Sequence, residues 1–152
     1  MKVSPAGRDL IKSFEAYRPH AYLCQAGVWT CGWGHTRGVK PSTVCTREQA
    51  EAWLTADLAP CEAGVDGMIT VPLTQGQFDA LVSLCFNLRG GVEAVRRSTL
   101  PGKINGGAPQ EVIRDCLLSF CKYRNKQGAL CVSQGLLNRR KREAALYFGG
   151  AV

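Results

Sequence analysis

The chain has 152 residues, 45% of them hydrophobic and 20% charged, which suits one ordered domain with room for two lobes and excludes a disordered or low-complexity chain. Nineteen Lys and Arg against twelve Asp and Glu leave a charge of +7, which favours a polyanionic partner such as nucleic acid, anionic lipid or an acidic wall polymer, although solubility alone explains the same figure. No apolar run approaches the roughly 18 residues of a membrane-spanning helix, and Met1 to Pro5 lead straight into an amphipathic pattern, so neither a membrane span nor a secretory leader is expected.

In chain order, Ser4 and Pro5 make a helix start, with Ser as the cap and Pro at the first helical position. Leu10, Ile11 and Phe14 give the apolar stripe, and Pro19 predicts that the helix ends near Tyr17. Glu15 then falls on the final turn, where a carboxylate opposes the helix dipole by about 0.3–1 kcal/mol. Such local violations mark candidate functional positions. Residues 20–23 and 28–35 read as hairpin arms around Cys24-Gln25-Ala26-Gly27, with Gly32 and Gly34 signalling close backbone packing or bulges. Residues 36–45 read as loop.

Thr46 to Gln49 form a capping box that opens a helix carrying Trp53, Leu54 and Leu58, with a kink expected at Pro60 and an end between Gly64 and Gly67. Thr74 to Gln77 form a second box. Phe78, Leu81, Val82, Cys85 and Phe86 follow at the spacing of a half-buried helix that stops at Arg89-Gly90-Gly91. Short helices are expected over 92–97 and 99–105, and another after Pro109 with Val112, Ile113, Cys116, Leu117 and Phe120 inward. A loop at 124–134 and a last helix over 135–148 complete the chain. The expected fold class is α+β, a single domain over 1–152. Its small β-hairpin lobe spans about 14–58, after the first helix, and its larger helical lobe about 1–13 and 59–152.

The eight cysteines include no CxxC pair, and two histidines do not complete a zinc site, so no metal or cofactor is expected. Cys85 and Cys116 sit at apolar helical positions and read as core thiols. An even count permits disulfides in an oxidising compartment, with the pairing open. The basic run Arg139 to Arg142 has few aromatics interleaved, so the stacking pattern of single-strand nucleic-acid binders is missing.

Eight residues separate Glu15 from Cys24 and five separate Cys24 from Thr30, in the stretch FEAYRPHAYLCQAGVWTCGWGHT. This pattern resembles the phage-type (T4-like) lysozymes, and weaker matches follow in LTQGQFDALVSLCFNL at 73–88, STL to KINGG at 98–107 and GLLNRRKREAALY at 135–147. The resemblance covers nearly the whole chain. It implies an α+β lysozyme-like fold and hydrolysis of peptidoglycan glycan strands after N-acetylmuramic acid. It also implies a phage or prophage endolysin, made in the host cytoplasm and reaching the wall by holin-type release, and a monomer. The commoner middle residue is Asp, where this chain has the Cys variant at Cys24, and Ala16 stands where many members have Gly.

Glycoside cleavage needs a proton donor for the leaving oxygen and an opposing group for the oxocarbenium-like transition state and for water. Glu15 is the one carboxyl group in the stretch and is the expected acid. Cys24, as thiolate, supplies the opposing charge, and Thr30 holds water. An unperturbed thiol titrates near pH ~8.5, so a lowered Cys24 pKa or an alkaline optimum is expected. The resemblance places Arg139 against Glu15 to fix its rotamer and suggests an inverting course, with a glycosyl–sulfur intermediate as the alternative. Asn87, Arg139 and Trp33 are expected to contact substrate, although Trp33 and Trp29 equally suit small-lobe packing. His35 reads as a structural hydrogen-bonder. Two competing functions remain: a thiol hydrolase pairing Cys24 with His20 or His35, and a non-catalytic cationic wall-binding module. The last helix is also a candidate for peripheral contact with anionic membrane. If Cys24 is catalytic, a disulfide to Cys31 or Cys45 would silence it.

Overall fold

The computed structural model describes residues 1–24, 27–125 and 127–150. The first helix, α1 (Pro5–Phe14), starts as expected, its cap hydroxyl on Ser4 accepting from the Gly7 N–H at 3.2 Å. It ends at Phe14, three residues earlier than Pro19 alone would require. The cause is β1 (Arg18–Leu23), whose first residue already pairs with Gly32 of β2 (Trp29–Gly32). Glu15 is therefore the C-cap, in extended conformation, with its N–H bonded back to the carbonyls of Ile11 and Lys12.

The β1–β2 hairpin is antiparallel, with Tyr22 opposite Thr30 and Leu23 opposite Trp29, and an irregularity between Arg18 and Tyr22. Its expected turn residues Gln25 and Ala26 lie outside the described residues. β2 is shorter than the expected arm because Cys31 and His35 exchange both backbone hydrogen bonds around Gly32-Trp33-Gly34. That reversal needs positive φ at Gly32 and Gly34 (66° and 83°), which only glycine adopts cheaply.

α2 (Arg47–Met68) begins with both hydrogen bonds of its capping box and runs 22 residues, through Pro60 and both glycines. Pro60 and Ala56 are exposed, so the carbonyl that Pro60 fails to bond meets water. Gly64 stays helical because a Cβ there would lie 2.4 Å from a Val92 methyl; the close helix contact overrides propensity. α3 (Gln75–Asn87) also opens on a complete capping box, and every residue from Phe78 to Cys85 is buried. It is the axial helix, packed by α1 and α2, by α4 (Gly91–Arg96) and by α7 (Gln134–Tyr147). α5 (Leu100–Asn105) and α6 (Gln110–Leu118) close the far side. Residues expected as loop at 124–134 instead contribute to a second hairpin, β3 (Lys122–Arg124) with β4 (Leu130–Val132).

Two cores result. The larger contains Ile11, Leu54, Leu58, Phe78, Leu81, Leu84, Leu100 and Leu117, and includes Cys85 and Cys116 as expected. The smaller is built from Cys31, Trp33, Cys45 and Ala50, with Tyr17, Val39 and Trp53 packed on it. α2 serves both, through Ala50 and Trp53 on one side and Leu54 and Leu58 on the other.

The end of α1 is aimed by polar locks to its neighbours. Buried Asp79 of α3 accepts from the Ser4 N–H (3.0 Å), the Ser4 hydroxyl and Gln75 Nε2 (2.8 Å). Gly7 admits that carboxyl, since a Cβ there would stand 2.6 Å from Asp79 Cγ. Glu51 of α2 pairs with Arg8 (2.6 Å) and with Lys12.

Candidate active site

Glu15 leaves α1 with its side chain about a quarter exposed, and its Oε1 accepts from Arg139 Nη1 at 3.0 Å. Its other oxygen faces Gly34, where an added Cβ would sit 3.5 Å away. Arg139 is buried, and its guanidinium lies over the Phe14 ring at 4.6 Å. Behind it Nε donates to Glu143 Oε1 (3.1 Å), which also accepts from Ser83 Oγ (2.7 Å) and from Arg140 Nη2 (3.3 Å). Arg140 Nη2 donates in turn to Asn87 Oδ1 at 2.6 Å. A continuous chain of contacts therefore runs from the Asn87 amide to the Glu15 carboxylate.

Arg140 and Glu143 are fully closed off from solvent, with Arg140 Nε 3.1 Å from Glu143 Oε2 but misaligned for a hydrogen bond. Burial pushes the Glu143 carboxyl up, against the pull of Arg140 and Arg139, and pushes Arg140 down. Such a cluster costs desolvation and is tolerated only while complete.

The hairpin presents its residues by alternation. Tyr22 and Thr30 are directly opposite and share a face. Cys24 continues the ladder, its N–H bonded to Val28 O at 3.0 Å, and lies two residues from Tyr22 on that same face. Burial raises the Tyr22 phenol; the charges of Glu15 and Cys24 raise it further, while Arg18 opposes them. Tyr22 thus stands within electrostatic reach of both and beside Thr30 on the ladder. Thr30 is buried, and its hydroxyl donates to Val28 O at 3.0 Å.

The other expected residues are placed differently. Trp33 is 7% exposed, packed on Tyr17 with ring centroids 5.0 Å apart and with Lys12 over its ring. Asn87 ends α3 and lines a cleft of about 550 Å³ together with Arg89, Phe120, Lys122, Tyr123 and Leu136. His35 is held by Asp57 (2.7 Å) and the Arg37 carbonyl (2.9 Å), and stacks on Trp53. Both ring nitrogens are therefore occupied by structural partners.

Sequence reasoning missed Tyr22, Ser83, Arg140 and Glu143. For Tyr22 a signal existed, because Cys24 minus two is the same strand face. For Glu143 none did, since a single acid after four basic residues reads as a solvated helix face.

A phage lysozyme family model matches residues 12–143. The chain is 42% identical to the endolysin of Acyrthosiphon pisum secondary endosymbiont phage 1, over 97% of this chain and 98% of that protein. It is 39% identical to the endolysin of Bacillus phage B103 over 99% of its own length, but spans 55% of that longer protein. Its fold is similar to the muramidase domain of SpmX from Asticaccaulis excentricus, with a TM-score of 0.87 and 37% identity, covering 96% of this chain and 97% of that one. With the family model matching most of its length, the chain belongs to the phage lysozyme family.

Proposed function

We infer that this lysozyme is a phage or prophage endolysin that hydrolyses the β-1,4 bond between N-acetylmuramic acid and N-acetylglucosamine in peptidoglycan, lysing the host cell. The observation that carries the reading is the Glu15 carboxylate at the end of α1, gripped by Arg139 on one oxygen and facing Gly34 with the other. A fixed carboxyl beside a hairpin bearing Cys24 and Thr30 suits proton donation to a glycosidic oxygen.

In this reading Glu15 protonates the leaving oxygen and Arg139 holds its rotamer. Cys24, as thiolate, offsets the charge that grows on the sugar, and Thr30 turns its hydroxyl from Val28 O to a water. Asn87 meets the substrate along the cleft, and Trp33 supports the small lobe from behind. The thiol-hydrolase reading is weaker, because His35 is committed to Asp57 and Arg37. The membrane reading of α7 is weaker too: Arg139 and Arg140 are buried, which leaves only Lys141 and Arg142 of the basic run for a lipid surface. No helix among the described residues is long and apolar enough to cross a membrane. In this reading a separate membrane-permeabilising protein of the holin type passes the enzyme, acting as a monomer, to the wall.

The test is clearing of outer-membrane-permeabilised cells, paired with an assay of new reducing ends from purified peptidoglycan. Wild type is expected to give both and Glu15→Gln neither. Release of free amines without reducing ends would reject the glycosidase.

A further inference from the structure

Cys31 and Cys45 meet at the centre of the small core. Their Sγ atoms are 3.4 Å apart, and the residues are only 0% and 4% exposed. Cys31 follows Thr30 on β2, so its side chain takes the opposite face, where its sulfur contacts the carbonyls of Arg18 and Pro19 at 3.5 Å each. Cys45 directly precedes the cap of α2, and its N–H is bonded to Pro19 O at 2.8 Å. The Cys45 backbone is thus pinned to β1, and Cys31 sits on β2, the strand paired with β1. Bringing the sulfurs to a bonded length of about 2.05 Å requires about 1.4 Å of closure, within reach of side-chain rotation.

We propose that Cys31 and Cys45 are a cross-linking site, oxidised to a structural disulfide in an oxidising compartment, which staples the strand bearing Thr30 to the start of α2. This assigns the two cysteines to each other and leaves Cys24 outside the bond, in contrast to the sequence expectation that one of them would capture it. The inference goes beyond the glycosidase reading and does not rest on it.

The oxidant is a disulfide, either oxidised glutathione or an exported dithiol oxidoreductase. One cysteine, as thiolate, attacks an oxidant sulfur, forming a mixed disulfide and expelling one oxidant thiol. The second cysteine attacks the protein sulfur of that bond and expels the other. Two electrons and two protons pass from the protein to the oxidant, and no other bond changes. Burial pushes the Cys45 thiol up to about 11, and its contact with Cys31 adds to this, so attack from the closed core is slow. The bond therefore forms while the small lobe folds, before the core closes over the pair.

Glutathione buffers of graded poise, applied to the native protein and during refolding, test this by alkylation and tryptic mapping. Arg37 lies between the two cysteines, so cleavage separates segment 13–37 from segment 38–47. The expected product is these segments joined, lighter by two hydrogens than the reduced pair, with fragmentation placing the link on Cys31 and the alkyl group on Cys24, which shares segment 13–37. The oxidised protein should keep its lytic activity and melt several degrees above the reduced form. That rise should vanish in Cys45→Val and, independently, in Cys31→Ala. Full alkylation of both cysteines at every poise in both preparations, or a bond from Cys45 to Cys24, would overturn the proposal.

Discussion

Glu15→Gln preserves the shape of the side chain and its contact with Arg139 but removes the transferable proton. Turnover on purified peptidoglycan should fall by about 10²–10⁴-fold or more, the usual worth of a positioned acid, with melting temperature little changed. Cys24→Ala should also cost most of the activity, whereas Cys24→Asp restores an anion and should recover much of it. The stereochemistry separates two roles for the sulfur. Attack by water held at Thr30 inverts the anomeric centre, whereas a glycosyl–sulfur intermediate gives net retention, and NMR of the first-formed anomer distinguishes them. The roles proposed for Glu15, Cys24 and Thr30 rest on their spacing along the chain, which is read from the sequence alone. Glu143 was harder to see, since the partner that draws it inward, Ser83 on α3, is distant in sequence.

At the scale of elements, Glu51 ties the end of α1 that carries Glu15 to α2. Burial raises its carboxyl pKa, but hydrogen bonds from Lys12 and Arg8 outweigh burial and leave it lowered. A lowered folded-state pKa stabilises above the unfolded value and is lost as pH falls through the folded one. Glu51→Gln should therefore lower the melting temperature slightly near neutrality, by the equivalent of about 1 kcal/mol or less for so exposed a pair. The gap to wild type should close in acid. Arg140→Ala should do far more, about 3–5 kcal/mol, because it removes one of the two guanidinium partners of the buried Glu143 and leaves its Oε2 without a counter-charge; urea denaturation measures it. The helices were readable from their ends, since Ser4, Thr46 and Thr74 all make the cap bonds their types imply. The length of α2 was not, because Gly64 answers to Val92 on another helix. The second hairpin hid for a different reason. Its strands are three residues each and face solvent on nearly every position, so no buried alternation exists, and only Asn125 and Gly128 announce a turn.

For the molecule as a whole, the cations behind the charge of +7 divide between buried groups and groups that border the cleft. Arg139 and Arg140 are buried in the network behind Glu15 and add little to the outer field, whereas Lys122 and Arg124 of β3 and Arg89 beside Asn87 border the cleft. An electropositive cleft should gather an anionic wall polymer before any chemistry occurs. Surface attraction of this kind fades as the screening length shrinks from about 10 Å at 0.1 M salt to about 3 Å at 1 M. Binding of Glu15→Gln to purified peptidoglycan should therefore remain near wild type at low salt and weaken steadily as salt is added. Lysis by that variant should be absent throughout. A purely cationic binding module predicts the opposite for the second readout, since its effect on cells would survive the loss of one carboxyl. If binding were flat from low to high salt, the net charge would have no part in wall recognition, and contacts such as that of Asn87 would have to hold the glycan alone.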